Sequence, residues 1–347
     1  MRLTVSVLII AGLSLGLAGC GGCEASSRRV VVYCAQDEDY AQRLFQAFEA
    51  RHPLKVAPKF DTEANKSVSL VEELRREAEH PRGDVHWNNE PLGTIRLARA
   101  GIYAPYASPA AKGYPAGSQS ADQTWHAFAE RARVLIVNTS LVAEGDRPRS
   151  LLDLTHPRWK GRVAMAKPQF GTTATQVACL FEVLGGERAR QFYRDLKAND
   201  VAIVPGNKQA ATEVSAGRYA VGFTDSDDAI LEVLAGKPVT LIFPDAAGHP
   251  EIPRMGTLFL PNTLAVIRGG PNPQGAQALI DDLLGPESES MLAAGGGYQF
   301  PRGSGATGPS LPALQPYLTA KRMAVDFEKS ADLWDEVQAF LRDEFAR

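Results

Sequence analysis

Along the chain, short unbroken apolar runs alternate with longer stretches whose apolar residues recur every three or four positions. The first pair is VVVYC at 30–34 followed by DEDYAQRLFQAFEARH. The run is short, β-branched and continuous, which predicts a strand buried on both faces. The stretch after it sets Ala41, Leu44, Phe45 and Phe48 on one face and opens with acids, which predicts an amphipathic helix whose start suits the helix dipole. The unit recurs: LKVAPKF before DTEANKSVSLVEELRREAEH, DVHW before NNEPLGTIRLARAG, VAMA before KPQFGTTATQVACLFEVLGG, VAIV before PGNKQAATEVSAG, and YAVGF before TDSDDAILEVLAG. No sequence repeat accompanies it. Strands alternating with helices of this length predict an α/β fold with largely parallel sheets.

Two longer apolar runs, ERARVLIVNTSLV and GTLFLPNTLAVI, fit neither series and read as strands that cross between two bodies. A chain of 347 residues also suits two domains better than one core. The expected division is a first lobe of residues 30–133 with 258–305 and a second of 134–257 with 306–347, separated by a cleft. Asn262 lies where the second long run bends after a proline, a candidate hinge position. Toward the end, Val325, Leu333, Trp334, Val337, Phe340 and Leu341 share one broad face, which predicts a helix over about 326–345 that packs back on the body.

The N-terminus departs from this pattern. MRLTVSVLIIAGLSLGLAGC carries one basic residue, an apolar stretch and then small residues ending at Cys20, which reads as an export signal over 1–20. The apolar part is too short for the roughly 20 residues of a membrane span. LAGC resembles the lipobox of bacterial lipoproteins, in which the cysteine receives a lipid and becomes the new N-terminus. Cys20 is then the lipidated residue, residues 21–29 a polar tether, and the protein membrane-tethered in the periplasm or at the cell surface. The CGGC at 20–23 has no second CxxC to complete a zinc site. Cys34 and Cys179 remain, in an exported protein where a disulfide is open to them, although each sits in an apolar context that suits a buried thiol.

Composition narrows the function. The hydrophobic share of 44% with 22% charged residues describes a globular protein, and a net charge of −3 without a long basic run argues against nucleic-acid binding. The six histidines, at 52, 80, 86, 126, 156 and 249, have no metal-ligand spacing. There is no HExxH, no Walker loop, and the one GxSxG match lies inside the export signal. A carboxylate-dependent hydrolase needs only two acids and stays as a weaker alternative to a non-enzymatic solute binder.

In α/β sheets, ligands bind beyond the carboxyl ends of the strands, where loops lead into helices. Those loops hold Gln36, Asp37, Asn89, Glu90, Gly171, Thr172, Thr173, Asp225, Asp227 and Asp228, and ERARV adds Arg131 and Arg133. Three carboxylates in TDSDDA can be read as helix caps, each such contact contributing about 0.5–2 kcal/mol. They can equally be read, with Asp37 and Glu90, as ligands for a hard cation, Asp37, Glu90, Asp227 and Asp228 being the candidate metal ligands. A third reading is a phosphorylated or polyhydroxylated organic solute. Its oxyanion would rest on the amides and hydroxyls of Gly171, Thr172 and Thr173 and on the arginine forks of Arg131 and Arg133. Trp87 and Trp125 read as packing residues rather than ligand platforms.

Taken in order, VVYCAQDEDYAQRLFQAFEARHPLKV, DTEANKSVSLVEEL, DVHWNNEPLGTIRLARAGIYAPY, ERARVLIVNTSLV, GRVAMAKPQFGTTATQ and GTLFLPNTLAVIRGGPNPQGAQALIDDLL resemble the extracellular solute-binding proteins of ABC importers, in the branch of the ferric-iron-binding proteins. The resemblance spans roughly residues 30–300. It implies a two-lobed, type II-like periplasmic-binding-protein fold, with two mixed sheets flanked by helices and two hinge crossings. It further implies a monomer that closes on a small ligand and delivers it to a membrane permease, with no catalytic cofactor. Bound iron accompanied by a synergistic anion is the cargo implied. That branch holds iron with adjacent tyrosines, often with a histidine; here Asp227 and Asp228 stand in place of the tyrosines and Asp37 in place of the histidine. A tyrosinate site is therefore not expected.

Overall fold

The computed structural model describes residues 28–61, 68–294 and 296–345. The export signal, Cys20 and nearly all of the tether lie outside the described residues. The strands are β1 (Arg29–Cys34), β2 (Lys55–Phe60), β3 (Val85–Asn88), β4 (Tyr103–Ala104), β5 (His126–Asn138), β6 (Val163–Ala166), β7 (Ala202–Val204), β8 (Val221–Asp225), β9 (Val239–Ile242) and β10 (Phe259–Ile267). They form one curled mixed sheet in the order β2-β1-β3-β10-β5-β8-β6-β7, with β4 on β10 and β9 on β5. The strand–helix units pair in parallel, β1 with β2 and β3, and β6 with β7 and β8. The two long runs pair antiparallel with their neighbours, so the sheet is mixed rather than largely parallel.

Strand β5 joins the two lobes. All of its residues are buried, the apolar VLIV run as expected and the charged Glu130, Arg131 and Arg133 beside it through ion pairs. His126–Ala132 pair with β10, and from Arg133 onward the same strand pairs with β8 and β9. The chain returns beside this point, where the Arg133 amide donates to the Leu258 carbonyl at 2.8 Å. Just before the crossing the β5–β10 register slips between Pro261 and Asn262, and Ala129 opposite adopts a φ of +27°, costly for a residue with a Cβ. Side chains hold it there: Asn262 Nδ2 donates to the Ala129 carbonyl at 2.6 Å, and the Ala129 amide donates to Glu289 Oε1 at 2.6 Å. Asn262 thus fixes a bend beside the crossing.

One core packs β1 and the helix Glu38–Arg51 through Val30, Val32, Phe45 and Phe48 against Trp87 and Phe128. Trp87 meets Phe45 edge-on at 5.8 Å and is a packing residue, as is the buried Trp125. A larger core spans the lobes, joining Leu92 and Ile95 to Val177, Phe181 and the terminal Phe340. The predicted terminal helix is two helices, Phe327–Asp332 and Trp334–Phe345, with Leu333 closing the first. Arg99 binds Asp332 and Glu328 at 2.7 Å while Arg194 binds Glu344 at 3.0 Å, so this segment leans on both lobes. Cys34 and Cys179 are separate buried thiols. Among the described residues, no helix is long and apolar enough to cross a membrane.

Candidate functional site

Four helices begin around one cleft of about 440 Å³: Glu38–Arg51, Gly171–Leu184, Asn207–Ser215 and Ser226–Leu234. Each follows a strand or its loop, so the sheet's carboxyl edges aim their N-termini at the same space. Their cap positions are Asp37, Phe170, Gly206 and Asp225, and none makes a side-chain cap bond. Capping therefore does not account for Asp225. The cleft wall includes Asp37, Asn89, Arg131, Gly171, Thr172, Thr173, Asp225, Asp227 and Asp228. Residues from the far-separated Asp37 and Asp228 loops thus face one concavity.

The aspartates of TDSDDA have different partners. Asp225 Oδ1 accepts from Arg133 Nη1 at 2.7 Å, and its Oδ2 accepts from Thr172 Oγ1 at 2.7 Å and Asn207 Nδ2 at 3.1 Å. Arg133 also donates to Gln176 Oε1 at 3.1 Å, Thr172 Oγ1 at 3.2 Å, Asn207 Oδ1 at 3.0 Å and Thr173 Oγ1 at 3.3 Å. These bonds form a saturated floor beneath the cleft, with the hydroxyls of Thr172 and Thr173 engaged in it rather than presented to a ligand. Asp227 Oδ2 lies 3.4 Å from Arg131 Nε, and Asp227 Oδ1 accepts from the Asp228 amide at 3.2 Å. One carboxylate oxygen from each of Asp225, Asp227 and Asp228 lies within 4.8 Å of the others.

The electrostatics follow from burial. Burial alone would lower the pKa of the Arg131 guanidinium, but Asp227, Asp225, Asp37 and Asp228 outweigh it and the pKa is raised. Tyr40, which sequence reasoning missed, also lines the cleft. Burial raises its phenol, and Asp227, Asp37 and Asp228 raise it further. A phenol is thus present among the acids, at a position other than the two at which the resemblance places the tyrosines. Its signal was positional: Tyr40 stands three residues after Asp37, one helical turn along the wall. Lys167, in the loop after β6, and Asn207 and Lys208, at the start of the helix Asn207–Ser215, were missed as well, since no motif marks them.

Three candidates are placed elsewhere. Glu90 does not line the cleft; it caps the helix Pro91–Arg99, accepting from the Leu92 amide at 2.7 Å and the Gly93 amide at 2.8 Å. Its remaining capacity goes to Asn88 Nδ2 at 3.0 Å and to Thr175 Oγ1 of the other lobe at 2.9 Å. Burial raises its pKa against those bonds. Gln36 sits behind the wall, where its Oε1 accepts from Arg131 Nη2. Arg133 is beneath the floor. The cleft that remains has an acidic side at Asp37, Glu38, Asp39, Asp227 and Asp228, and a side of helix-start amides with Lys167 and Lys208.

A polar cleft between halves of a curled α/β sheet, crossed twice near one hinge, is the arrangement of two-lobed solute-binding proteins. Residues 95–326 match the bacterial extracellular solute-binding proteins, and the chain belongs to that family. It is 24% identical over 330 residues to the Fe(3+)-binding periplasmic protein of Serratia marcescens, covering 91% of both chains. Iron-bound HitA from Pseudomonas aeruginosa superposes with a TM-score of 0.80 at 22% identity, covering 91% of this chain and 99% of that one. AfuA from Actinobacillus pleuropneumoniae, with fructose-6-phosphate bound, superposes at 0.78 with 21% identity, covering 92% and 98%. At these identities the two structures establish the fold.

Proposed function

We propose that the protein is the receptor of an ABC importer that captures a hard cation together with an anion, ferric iron being the first candidate. The observation that carries this is the meeting of Asp37 and Tyr40 from one lobe with Asp227 and Asp228 from the other around a single cleft. Oxygen donors of this kind suit Fe(III), and a cation there relieves the repulsion that raises the Tyr40 phenol. Such donors sit about 2.0–2.6 Å from an ion, so an ion alone leaves most of a cleft of about 440 Å³ unfilled. The amides at Gly171–Thr173, with Lys167 and Lys208, suit the anion. Because donors come from both lobes, the ligand stabilises the closed arrangement. Similarity to a periplasmic iron binder supports export and delivery to a permease, and the lipobox supports a lipid anchor at Cys20 on a monomer.

A second reading is a phosphorylated, polyhydroxylated solute, with phosphate on the amide side and hydroxyls donating to the aspartates. Two observations favour it: the volume of the cleft and the likeness to the fructose-6-phosphate complex. Titration calorimetry of chelator-stripped protein with ferric citrate, Mn²⁺, Ca²⁺ and fructose-6-phosphate separates the two. Tight ferric binding that Asp228→Asn and Tyr40→Phe both weaken supports the cation. Sugar phosphate binding with no response to any metal overturns it.

A further inference from the structure

A second cavity of about 440 Å³ lies behind the main cleft and shares only Phe170 and Gly171 with it. It is walled by the first lobe, by Gln169–Gly171 of the second, and by the terminal helix Trp334–Phe345. Arg96, on the helix Pro91–Arg99, faces it with a side chain only 18% exposed. The guanidinium lies over the Trp334 ring, 5.1 Å from its centre. Its nearest carboxylate is Asp335 at 3.9 Å, beyond hydrogen-bond reach and on a side chain 95% exposed. Among the described residues no hydrogen bond reaches the Arg96 guanidinium, although it carries five donors. Burial, and then Arg75, lower its pKa against the opposing pull of Asp335, Glu90 and Glu72.

We propose that this cavity is a second binding site, for a small organic monocarboxylate with an apolar body, held by the Arg96 fork. The guanidinium matches a carboxylate edge through two parallel hydrogen bonds, and its stacking on Trp334 fixes the plane in which they point. Val71, Phe170 and Trp334 supply apolar surface beside it. Glu72, Glu90 and Asp335 also border the cavity and outnumber Arg96 and Arg342, so a second negative charge is repelled, which disfavours phosphate and polycarboxylates. A ligand here bridges the lobes, so it and a solute in the main cleft stabilise the same arrangement and tighten each other by the same factor.

Calorimetry of the full chain with benzoate tests this, with benzamide as the uncharged analogue and inorganic phosphate as the multivalent anion. Benzoate is expected to bind with a Kd of about 1 mM or below, and both comparators at least about tenfold more weakly. Arg96→Gln weakens benzoate by about tenfold or more. Asp335→Asn, an exposed change that leaves packing alone, tightens it by about threefold by removing a nearby like charge. The proposal is overturned by absence of benzoate heat up to about ten times that Kd, by phosphate binding more tightly than benzoate, or by benzoate affinity that neither substitution changes. None of these measurements uses the solute of the main cleft, so failure here leaves the receptor reading standing, and the reverse holds too.

Discussion

Arg133 Nη1 lies 2.7 Å from Asp225 Oδ1, with both side chains buried in the second lobe. Removing either partner strands the other charge away from water, which typically costs about 3–5 kcal/mol. Asp225→Ala and Arg133→Met are therefore each expected to lower the urea midpoint strongly. The Arg133→Met/Asp225→Ala double variant should lose less than the sum of the two, because neither charge is then left alone. Additive losses in the double variant would show that the two side chains act independently.

Asp228 stands only three residues on and is expected to behave in the opposite way. It is part of the cleft wall, and the bonds that hold Asp225 to Arg133, Thr172 and Asn207 do not depend on it. Asp228→Asn should leave unfolding free energy within about 0.5 kcal/mol of the parent, the usual range for a change away from core features. Its effect belongs on solute affinity, with a loss of about tenfold or more for a cationic cargo. Parallel denaturation and titration on Asp225→Ala and Asp228→Asn test this division of labour. It fails if both variants lose stability alike.

The fold was legible because its signals are local. VVVYC, the helix face Ala41–Leu44–Phe45–Phe48 and the two long crossing runs each became the expected element, since continuous burial leaves one arrangement for such patterns. The loops bearing Asp37, Thr172 and Asp228 do converge, because helix starts follow strand ends. What one sequence could not convey is which charges neutralise one another. Glu90 and Asp228 look equivalent as loop acids, yet Glu90 spends both oxygens on helix amides and on Asn88 and Thr175, while Asp228 borders the cleft. Tyr40 was hidden for a related reason: its position reads as an ordinary helical residue until the opposite lobe places Asp227 and Asp228 beside it.

His86 supplies a pH dependence. Its ring is buried and shares a 2.6 Å hydrogen bond with the Tyr103 hydroxyl, and burial lowers its pKa from 6.5 to about 3. Below pH 6.5 the unfolded chain takes up a proton that the folded protein refuses until about pH 3. The stability present above pH 6.5 is thus lost as pH falls through that window, by about 1.4 kcal/mol per unit. His126, also lowered by burial, acts in the same direction. Urea unfolding of the parent and His86→Gln between about pH 7 and pH 5 should show the parent's advantage shrinking with acid. Parallel pH profiles would place the lost stability on other groups.

Thr175 offers a test of how the lobes hold together. Its hydroxyl, on the helix Gly171–Leu184, donates to Glu90 Oε2 at 2.9 Å, and Glu90 belongs to the opposite lobe as the cap of Pro91–Arg99. The bond therefore exists only while the lobes meet, whereas the cap bonds from Leu92 and Gly93 persist within one lobe. Thr175→Val keeps the shape of a fully buried side chain and removes the donor. A hydrogen bond lost in this way costs about 1–2 kcal/mol. Since a solute binds by stabilising the closed arrangement, the cost should appear as a loss of affinity of about tenfold. The unliganded variant should also scatter X-rays with a larger radius of gyration, while the unfolding midpoint changes little because the substitution leaves the apolar core around Leu92, Ile95, Val177 and Phe181 intact. An unchanged affinity with a lowered midpoint would make the bond an ordinary packing contact and remove it from the closure equilibrium.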